Sequence, residues 1–215
     1  ITFYTGGLLS PRMTTDKRDA ISPVAKGLVL FDTTLSTLQI NEGDTAPANW
    51  VSLSSAATTA TYSIGDVLYG GVVFWLDSTG QHGLVVAMSD SANDIGWGCF
   101  GTDLPNVPNV PYNGGVPIGL GAEIGDGVTN TNGILTDCST APAALAARSL
   151  GPDWFLPSIK EFGQIYDHKD TLEAVSGFTA FSNYYWSSTE RDNYGAWSQN
   201  FHLGTQYSNS KDATN

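Results

Sequence analysis

The sequence predicts an α+β fold, a twisted antiparallel sheet with two helices and long loops, preceded by a small β-hairpin module. Three observations predict it. Near the C-terminus, Tyr184-Tyr185-Trp186-Ser187-Ser188-Thr189-Glu190 mixes aromatic and small polar residues, and Gly195-Ala196-Trp197-Ser198-Gln199-Asn200-Phe201 repeats that character. A period of two puts Tyr185, Ser187 and Thr189 on one strand face and Tyr184, Trp186 and Ser188 on the other, one face feeding a core and the other meeting a partner. Ser158 followed three residues later by Glu161 is a capping box, with Pro157 before it and Ile159, Phe162, Ile165 and Tyr166 on one face of the helix that follows. The 24 Gly, 10 Pro and abundant Ser, Thr and Asn cut the remainder into short strands joined by turns.

In order along the chain, residues 14–21 predict a short helix capped by Thr14 or Thr15. After Pro23, residues 27–32 and 35–40 read as strands joined by a tight turn, with 49–52 as a third. Such a module buries little alone and needs a partner or copies of itself. Residues 53–61 are small, polar and uncharged, as a linker is. The chain therefore divides into 1–58, an assembly module with its linker, and 59–215, a second domain. There, 67–75 and 83–88 predict strands around the turn Asp77-Ser78-Thr79-Gly80. Residues 91–137 carry repeated Gly, Pro and Asn with little periodicity and predict a long ordered loop. Residues 141–150, rich in Ala and Leu, predict the first helix, and the capped segment from Ser158 the second.

Composition excludes several classes of function. With 21 acidic against 9 basic residues, the formal charge of −12 repels phosphate backbones, so no nucleic-acid partner is expected. No apolar run approaches the roughly 18 residues of a membrane span, and no signal-peptide pattern is present, so no membrane insertion is expected. Without an initiator Met, Ile1 is expected to begin a processed or partly observed polypeptide. Only 14% of residues are charged, an extracellular profile. The two cysteines, Cys99 and Cys138, if bonded, close a loop worth about 4 kcal/mol in the chain-entropy estimate. The alternative is two buried thiols that never meet.

Four blocks carry a family resemblance: Gly70-Gly71-Val72-Val73-Phe74-Trp75, Gly96-Trp97-Gly98-Cys99, the segment from Asp153 to Glu161 that opens Asp153-Trp154-Phe155-Leu156-Pro157-Ser158, and the segment from Tyr185 to Phe201. Over roughly residues 62–215 the chain resembles a bacterial and phage C-type-lectin-like domain of unknown function, of the collagen-like-protein C-terminal type, found at the tips of tail fibres and surface adhesins. The resemblance implies the C-type-lectin-like fold, and it implies a Cys99–Cys138 disulfide, since such relatives carry Cys in both places. They also finish with a strand of the type Val-Arg-x-Val-Arg, whereas this sequence stops at Lys211-Asp212-Ala213-Thr214-Asn215, which leaves the completion of the terminal strand open. Residues 11–50, from Met13-Thr14-Thr15 through Gly27-Leu28-Val29-Leu30-Phe31-Asp32 to Trp50-Val51-Ser52-Leu53, resemble a recurrent segment of phage tail fibres. That likeness implies a trimeric fibre base.

Catalytic chemistry finds little footing. His202, Ser198 and Asp192 offer the residue types of a triad without its geometry, and no nucleophile elbow, phosphate-binding loop or zinc protease motif is present. A formylglycine-generating enzyme shares the broad fold but needs two reactive cysteines in the C-terminal half, where Cys138 stands alone. Glu123, Asp126 and Asp137 lack the spacing of a calcium loop and read as solvated carboxylates. His82, His168 and His202 with the cysteines make no zinc set. The calcium-dependent sugar signatures of animal lectins are missing. No catalytic residue, metal or cofactor is therefore expected.

Recognition remains. Arg191, Asp192, Asn193, Tyr194, Ser198, His202, Tyr207 and Asn209 form a mixed polar and aromatic set of the kind that gives hydrogen bonds and rigid contact area at low entropic cost. Trp186, Trp197 and Phe201 read instead as core. Arg191, Asp192, Tyr194, Ser198, His202, Leu203, Tyr207, Ser208 and Asp212 are all reachable from an Asn codon by adenine changes, the pattern of retroelement-diversified lectin-like domains; a near-identical template repeat beside the gene is the sign to look for. The expected function is non-enzymatic receptor binding or adhesion at the tip of a phage tail fibre or virion-surface fibre, on the virion surface or otherwise extracellular. Its partners would be a host-surface protein or glycan, two further copies in a homotrimer, and other fibre or virion proteins. The alternative is a structural decoration or cap subunit that binds only neighbouring subunits.

Overall fold

The computed structural model describes residues 10–43, 48–53, 61–182 and 184–214. The chain divides into two compact units, 1–60 and 61–215. Most of the linker expected at 53–61, and with it the boundary expected between residues 58 and 59, lies outside the described residues.

Among its described residues unit 1 is a four-stranded sheet with one short helix. Its elements are β1 (Arg12–Met13), α1 (Thr15–Asp19), β2 (Val29–Asp32), β3 (Thr37–Asn41) and β4 (Trp50–Ser52), in sheet order β1-β2-β3-β4. β2, β3 and β4 are antiparallel, while β1 joins in parallel, a pairing too short for the sequence pattern to show. The Asp32 carboxylate closes the β2–β3 turn by accepting from the backbone N–H groups of Thr34 and Leu35 at 2.9 and 3.1 Å. It also accepts from the Thr15 hydroxyl at 2.8 Å and from Arg18 at 3.1 Å. Thr15 thus ties α1 to the sheet, and neither Thr14 nor Thr15 caps the helix through its side chain. Among the described residues Leu30 is the one fully buried apolar side chain of the unit, against buried Arg18, Asp32, Gln39 and Asn41. A unit whose interior is this polar gains little from apolar burial in a single copy.

Unit 2 is α+β, as the sequence predicts, but its layout differs. In place of one sheet there are two of three strands: β5 (Val67–Leu68), β6 (Gly71–Leu76) and β7 (Gly83–Ala87) form one, and β8 (Tyr184–Glu190), β9 (Gly195–Asn200) and β10 (Gln206–Ser210) the other, in order β10-β9-β8. The strand expected over 67–75 is broken at Tyr69 and Gly70, both at positive φ, so that Leu68 folds back onto Gly71. Only glycine suits position 71, where a Cβ would stand 2.5 Å from the Val86 carbonyl oxygen.

Two helices were expected in unit 2 and its described residues hold four: α2 (Asp126–Asp137), α3 (Pro142–Arg148), α4 (Ile159–Asp167) and α5 (Lys169–Glu173). α2 lies inside the segment expected to be loop. Its sequence Asp-Gly-Val-Thr-Asn-Thr-Asn-Gly-Ile-Leu-Thr-Asp has poor helix propensity, and tertiary packing overrides it. Gly127 and Gly133 are there because neighbours press close: a Cβ would come within 2.3 Å of the Glu161 carboxylate and of the Asn106 carbonyl oxygen, respectively.

The capping box of α4 forms as read. Ser158 Oγ accepts from the Glu161 N–H at 3.2 Å, and Glu161 accepts from the Ser158 N–H at 2.7 Å. Glu161 also accepts from the Gly125 N–H at 2.8 Å, so one carboxylate organises the starts of both α4 and α2. Burial raises its pKa above the usual carboxylate range, against the pull of those hydrogen bonds.

The two-faced reading of β8 does not hold. Residues 186–190 and the whole of β9 are buried on both faces. Trp186 packs with Trp97, Ile134 and Leu156 on one side, while Tyr185 packs with Phe162 and Phe201 on the other. Trp197 sits with Val110, Ala122 and Ile159. Each of the three buried indoles finds a carbonyl for its N–H: Trp97 on Ser187 at 2.8 Å, Trp186 on Ile95 at 2.9 Å and Trp197 on Val110 at 2.7 Å. Cys99 and Cys138 are joined in a disulfide between the long loop and the end of α2.

Candidate recognition surface and aromatic cleft

The eight residues expected to contact a ligand do not converge on one site. They are set by two consecutive hairpins that share β9, whose six residues span roughly 20 Å. Arg191, Asp192, Asn193 and Tyr194 form the β8–β9 turn at one end, and His202 lies in the β9–β10 turn at the other. Tyr207 and Asn209 stand between them on the edge strand β10, opposite Ser198 and Ala196. Ser198 is a correction: it is fully buried, its Oγ accepts from Asn209 Nδ2 at 3.0 Å, and it has no surface to offer a ligand.

The β8–β9 turn is braced from within. Asp192 accepts from Arg191 Nε at 2.8 Å and from the N–H groups of Tyr194 and Gly195 at 2.8 and 2.9 Å. Burial opposes ionisation of Asp192, yet Arg191 and the turn amides hold its pKa below the usual range. The guanidinium lies over Gly195, where a Cβ would come within 2.7 Å of it. Arg191 and Asp192 are thus occupied in shaping the turn, and Tyr194 is the side chain they present, 53% exposed. Its ring meets Phe100, 50% exposed, at 5.4 Å between centroids. Phe100 was not visible as a contact residue in the sequence, because the Gly101 N–H to Asn193 carbonyl bond that brings its loop to the turn is a tertiary one.

The C-terminal segment is anchored beneath this turn by Lys211, which the sequence pattern did not single out. Its ammonium group is completely buried, donates to Glu190 and to the Thr102 carbonyl, and lies 4.8 Å from the Trp97 ring centroid. Burial pushes the Glu190 carboxyl up to about 7 despite Lys211, and its Oε2 has no partner. Glu123, Asp126 and Asp137 are bound up in structure: Asp126 accepts from the Gly121 and Glu123 N–H groups, Glu123 pairs with Lys160, and Asp137 holds Asn106. His202 and Asp192 stand at opposite ends of β9, and Ser198 is buried between them.

A second feature has no counterpart in the sequence pattern. A cleft of about 640 Å³ opens between β6–β7, the loop at 150–157 and the segment at 178–186. Tyr69, Trp154, Phe181 and Tyr184 line it, and Asp90, Asp94 and Asp153 are the acidic side chains on its wall. The Tyr185 hydroxyl donates to Asp90 at 3.1 Å and accepts from the Ser182 N–H at 2.9 Å. Desolvation raises the pKa of both Asp90 and Tyr185. Such a wall of rings with few polar groups is the make-up of a binding cleft.

Residues 1–64 match a protein family described as a phage tail like trimerisation region. The match supports a phage tail-fibre-like N-terminal segment, homotrimeric assembly and a place for the chain among virion-associated tail or fibre structural proteins. No curated protein matches the chain.

Proposed function

We propose that this chain is a non-enzymatic receptor-binding protein at the tip of a phage tail fibre or virion-surface fibre, with unit 1 as its trimerising base and unit 2 as a C-type-lectin-like head that recognises a host-surface protein or glycan. The observation that carries this reading is the pairing of a phage tail trimerisation match at 1–64 with a separate unit that displays Tyr194, on a turn held by Asp192, against Phe100, next to the Cys99–Cys138 disulfide. Exposed aromatic side chains on a rigid support are the usual anchors of recognition surfaces. Trimerisation multiplies a weak single contact by effective concentration, so each head needs only modest affinity.

Tyr112, Val116, Ile118 and Leu120 on the long loop are also exposed, at 67, 65, 61 and 75%. That apolar run favours the second reading, a decoration or cap subunit whose loop packs on a neighbouring virion protein.

The test is binding of the 215-residue protein to host cells and to a glycan array beside the double variant Phe100→Ala/Tyr194→Ala. Loss of binding by about tenfold or more in a folded variant is expected, each truncated anchor costing roughly 1 kcal/mol or more. Undiminished binding by the variant would move the site away from the turn, and absence of binding by the intact trimer would favour the structural reading.

A further inference from the structure

The sheet of unit 1 is built inside out. An antiparallel sheet that rests one face on a core sends its apolar side chains to that face and its polar ones to water. In β2 and β3 four positions are buried, and three of them, Asp32, Gln39 and Asn41, are polar. The helix α1 covers this polar face. Thr15 and Arg18 donate to Asp32, Arg18 also donates to Gln39 at 3.3 Å, and its guanidinium stands 5.6 Å from the Trp50 ring centroid.

The opposite face is apolar across three strands. The register sets Phe31 beside Leu38 in one row, and Val29 beside Ile40 and Val51 in the next. The Leu53 N–H donates to the Leu38 carbonyl at 2.7 Å, which extends the pairing and brings Leu53 into the first row. Arg12 of β1 closes that row, its guanidinium 4.4 Å from the Phe31 ring centroid. Val29, Phe31, Leu38 and Ile40 are half-buried, and Val51 and Leu53 are 38 and 45% exposed. A contiguous apolar patch of this kind marks an interface. What covers it follows from the match of residues 1–64 to a trimerisation region, since those residues contain the whole sheet. We propose that this face is the trimer interface: the three copies turn it toward a common threefold axis, where the apolar rows of each meet those of the other two, while α1 and the polar face look outward. The inference rests on the reading of unit 1 as a trimerising base and adds which of its faces does the work. Assembly in this sense supplies the apolar core that a single copy, with Leu30 as its one fully buried apolar side chain among the described residues, does not have. The polar face needs no partner, because Asp32, Gln39 and Asn41 find theirs within the copy.

The experiment is sedimentation velocity on the 215-residue protein and its variants, followed by thiol labelling of the assembled state. The unaltered protein is expected to sediment as a trimer. Val51→Lys/Leu53→Lys sets like charges around the axis and is expected to lose the trimer, whereas Leu35→Lys, at a position 51% exposed in the β2–β3 turn and off the face, is expected to keep it. Both positions of the double variant are more than a third exposed in a single copy, so lysine there burdens the fold of that copy little. Loss of the trimer also follows from misfolding of unit 1, and labelling separates the two causes. Val51→Cys and Leu35→Cys are treated with a maleimide while trimeric; Cys99 and Cys138 are joined to each other, so the added thiol is the one that reacts. The thiol at 51 is expected to be protected and the thiol at 35 to react. An unaltered protein that sediments as a monomer or dimer would overturn the trimer reading, and this inference with it. A trimeric unaltered protein whose double Lys variant stays trimeric, or whose thiol at 51 reacts as fast as that at 35, would leave the trimer reading standing and overturn the choice of face.

Discussion

Unit 1 and unit 2 each hold an ion pair out of water, Arg18 with Asp32 and Lys211 with Glu190, and the two carboxylates respond in opposite directions. Burial acts to raise both. Asp32 receives hydrogen bonds from Thr15, Leu35 and Thr34 as well as the Arg18 charge, and its pKa falls below the usual range. Glu190 has Lys211 but leaves Oε2 unpartnered, and burial prevails, lifting it to about 7. The difference has two sources: burial weighs more heavily on Glu190, which also lies near Asp103, and Asp32 receives more hydrogen bonds, so a counter-charge alone does not decide whether a buried acid stays ionised.

The largest effect should follow from removing one partner of the less satisfied pair. Lys211→Met leaves Glu190 buried without its cation and should cost about 4 kcal/mol at pH 8, measured by denaturant unfolding. The cost should shrink toward pH 5 as Glu190 takes up a proton, and Glu190→Gln in the same chain should recover much of it. A cost independent of pH would mean that Lys211 matters only for packing against Trp97.

Next comes the pH dependence of the unaltered protein. The folded Glu190 pKa lies above its unfolded value, so its contribution to stability is fully present below the unfolded carboxylate range and is lost as pH rises through about 7. Between pH 4 and 8 this amounts to about 3 kcal/mol in unit 2, with Glu161 acting in the same direction. Asp32 has the opposite sign: its contribution is present above the unfolded range and is lost as pH falls through its depressed folded value. Residue-resolved amide exchange, corrected for intrinsic rates, should show β8 and β9 losing protection toward pH 8 and β2 and β3 losing it only in acid. Parallel behaviour of the two units would break the comparison.

A smaller loss than that of Lys211→Met is expected at neutral pH for Asp32→Asn, whose side-chain oxygen still accepts from the Thr34 and Leu35 N–H groups while its amide nitrogen replaces the oxygen to which Thr15 and Arg18 donate, Arg18 keeping Asp19 and Gln39. Its signature is a flattened acid limb in β2 and β3 with little change elsewhere. An acid limb that persists in this variant would assign it to another carboxylate.

Much of the fold was legible because local chemistry wrote it. Ser158 and Glu161 announced α4, the run of Ala and Leu announced α3, and the strands around Asp77 and Asp32 followed from turn residues that bond their own backbone. α2 was not legible, since its glycines and asparagines are explained only by Phe155, Glu161 and Asn106 pressing on them from distant positions. The candidate surface divided in the same way. Tyr194 was readable as a turn-borne aromatic, whereas the burial of Ser198 and the approach of Phe100 depend on which strand and loop lie alongside.

By itself the sequence determined the α+β class with its preceding hairpin module, the core role of Trp186, Trp197 and Phe201, and the net acidic charge, because periodicity, capping and net charge are properties of neighbouring residues or of sums over all residues. Only the tertiary structure decided that the sheet of unit 2 is two sheets beside one cleft, that the eight candidate contacts scatter along a hairpin pair, and that Lys211 and Glu190 meet. Those outcomes depend on contacts between residues far apart in the chain, whose energies do not exist until packing excludes water.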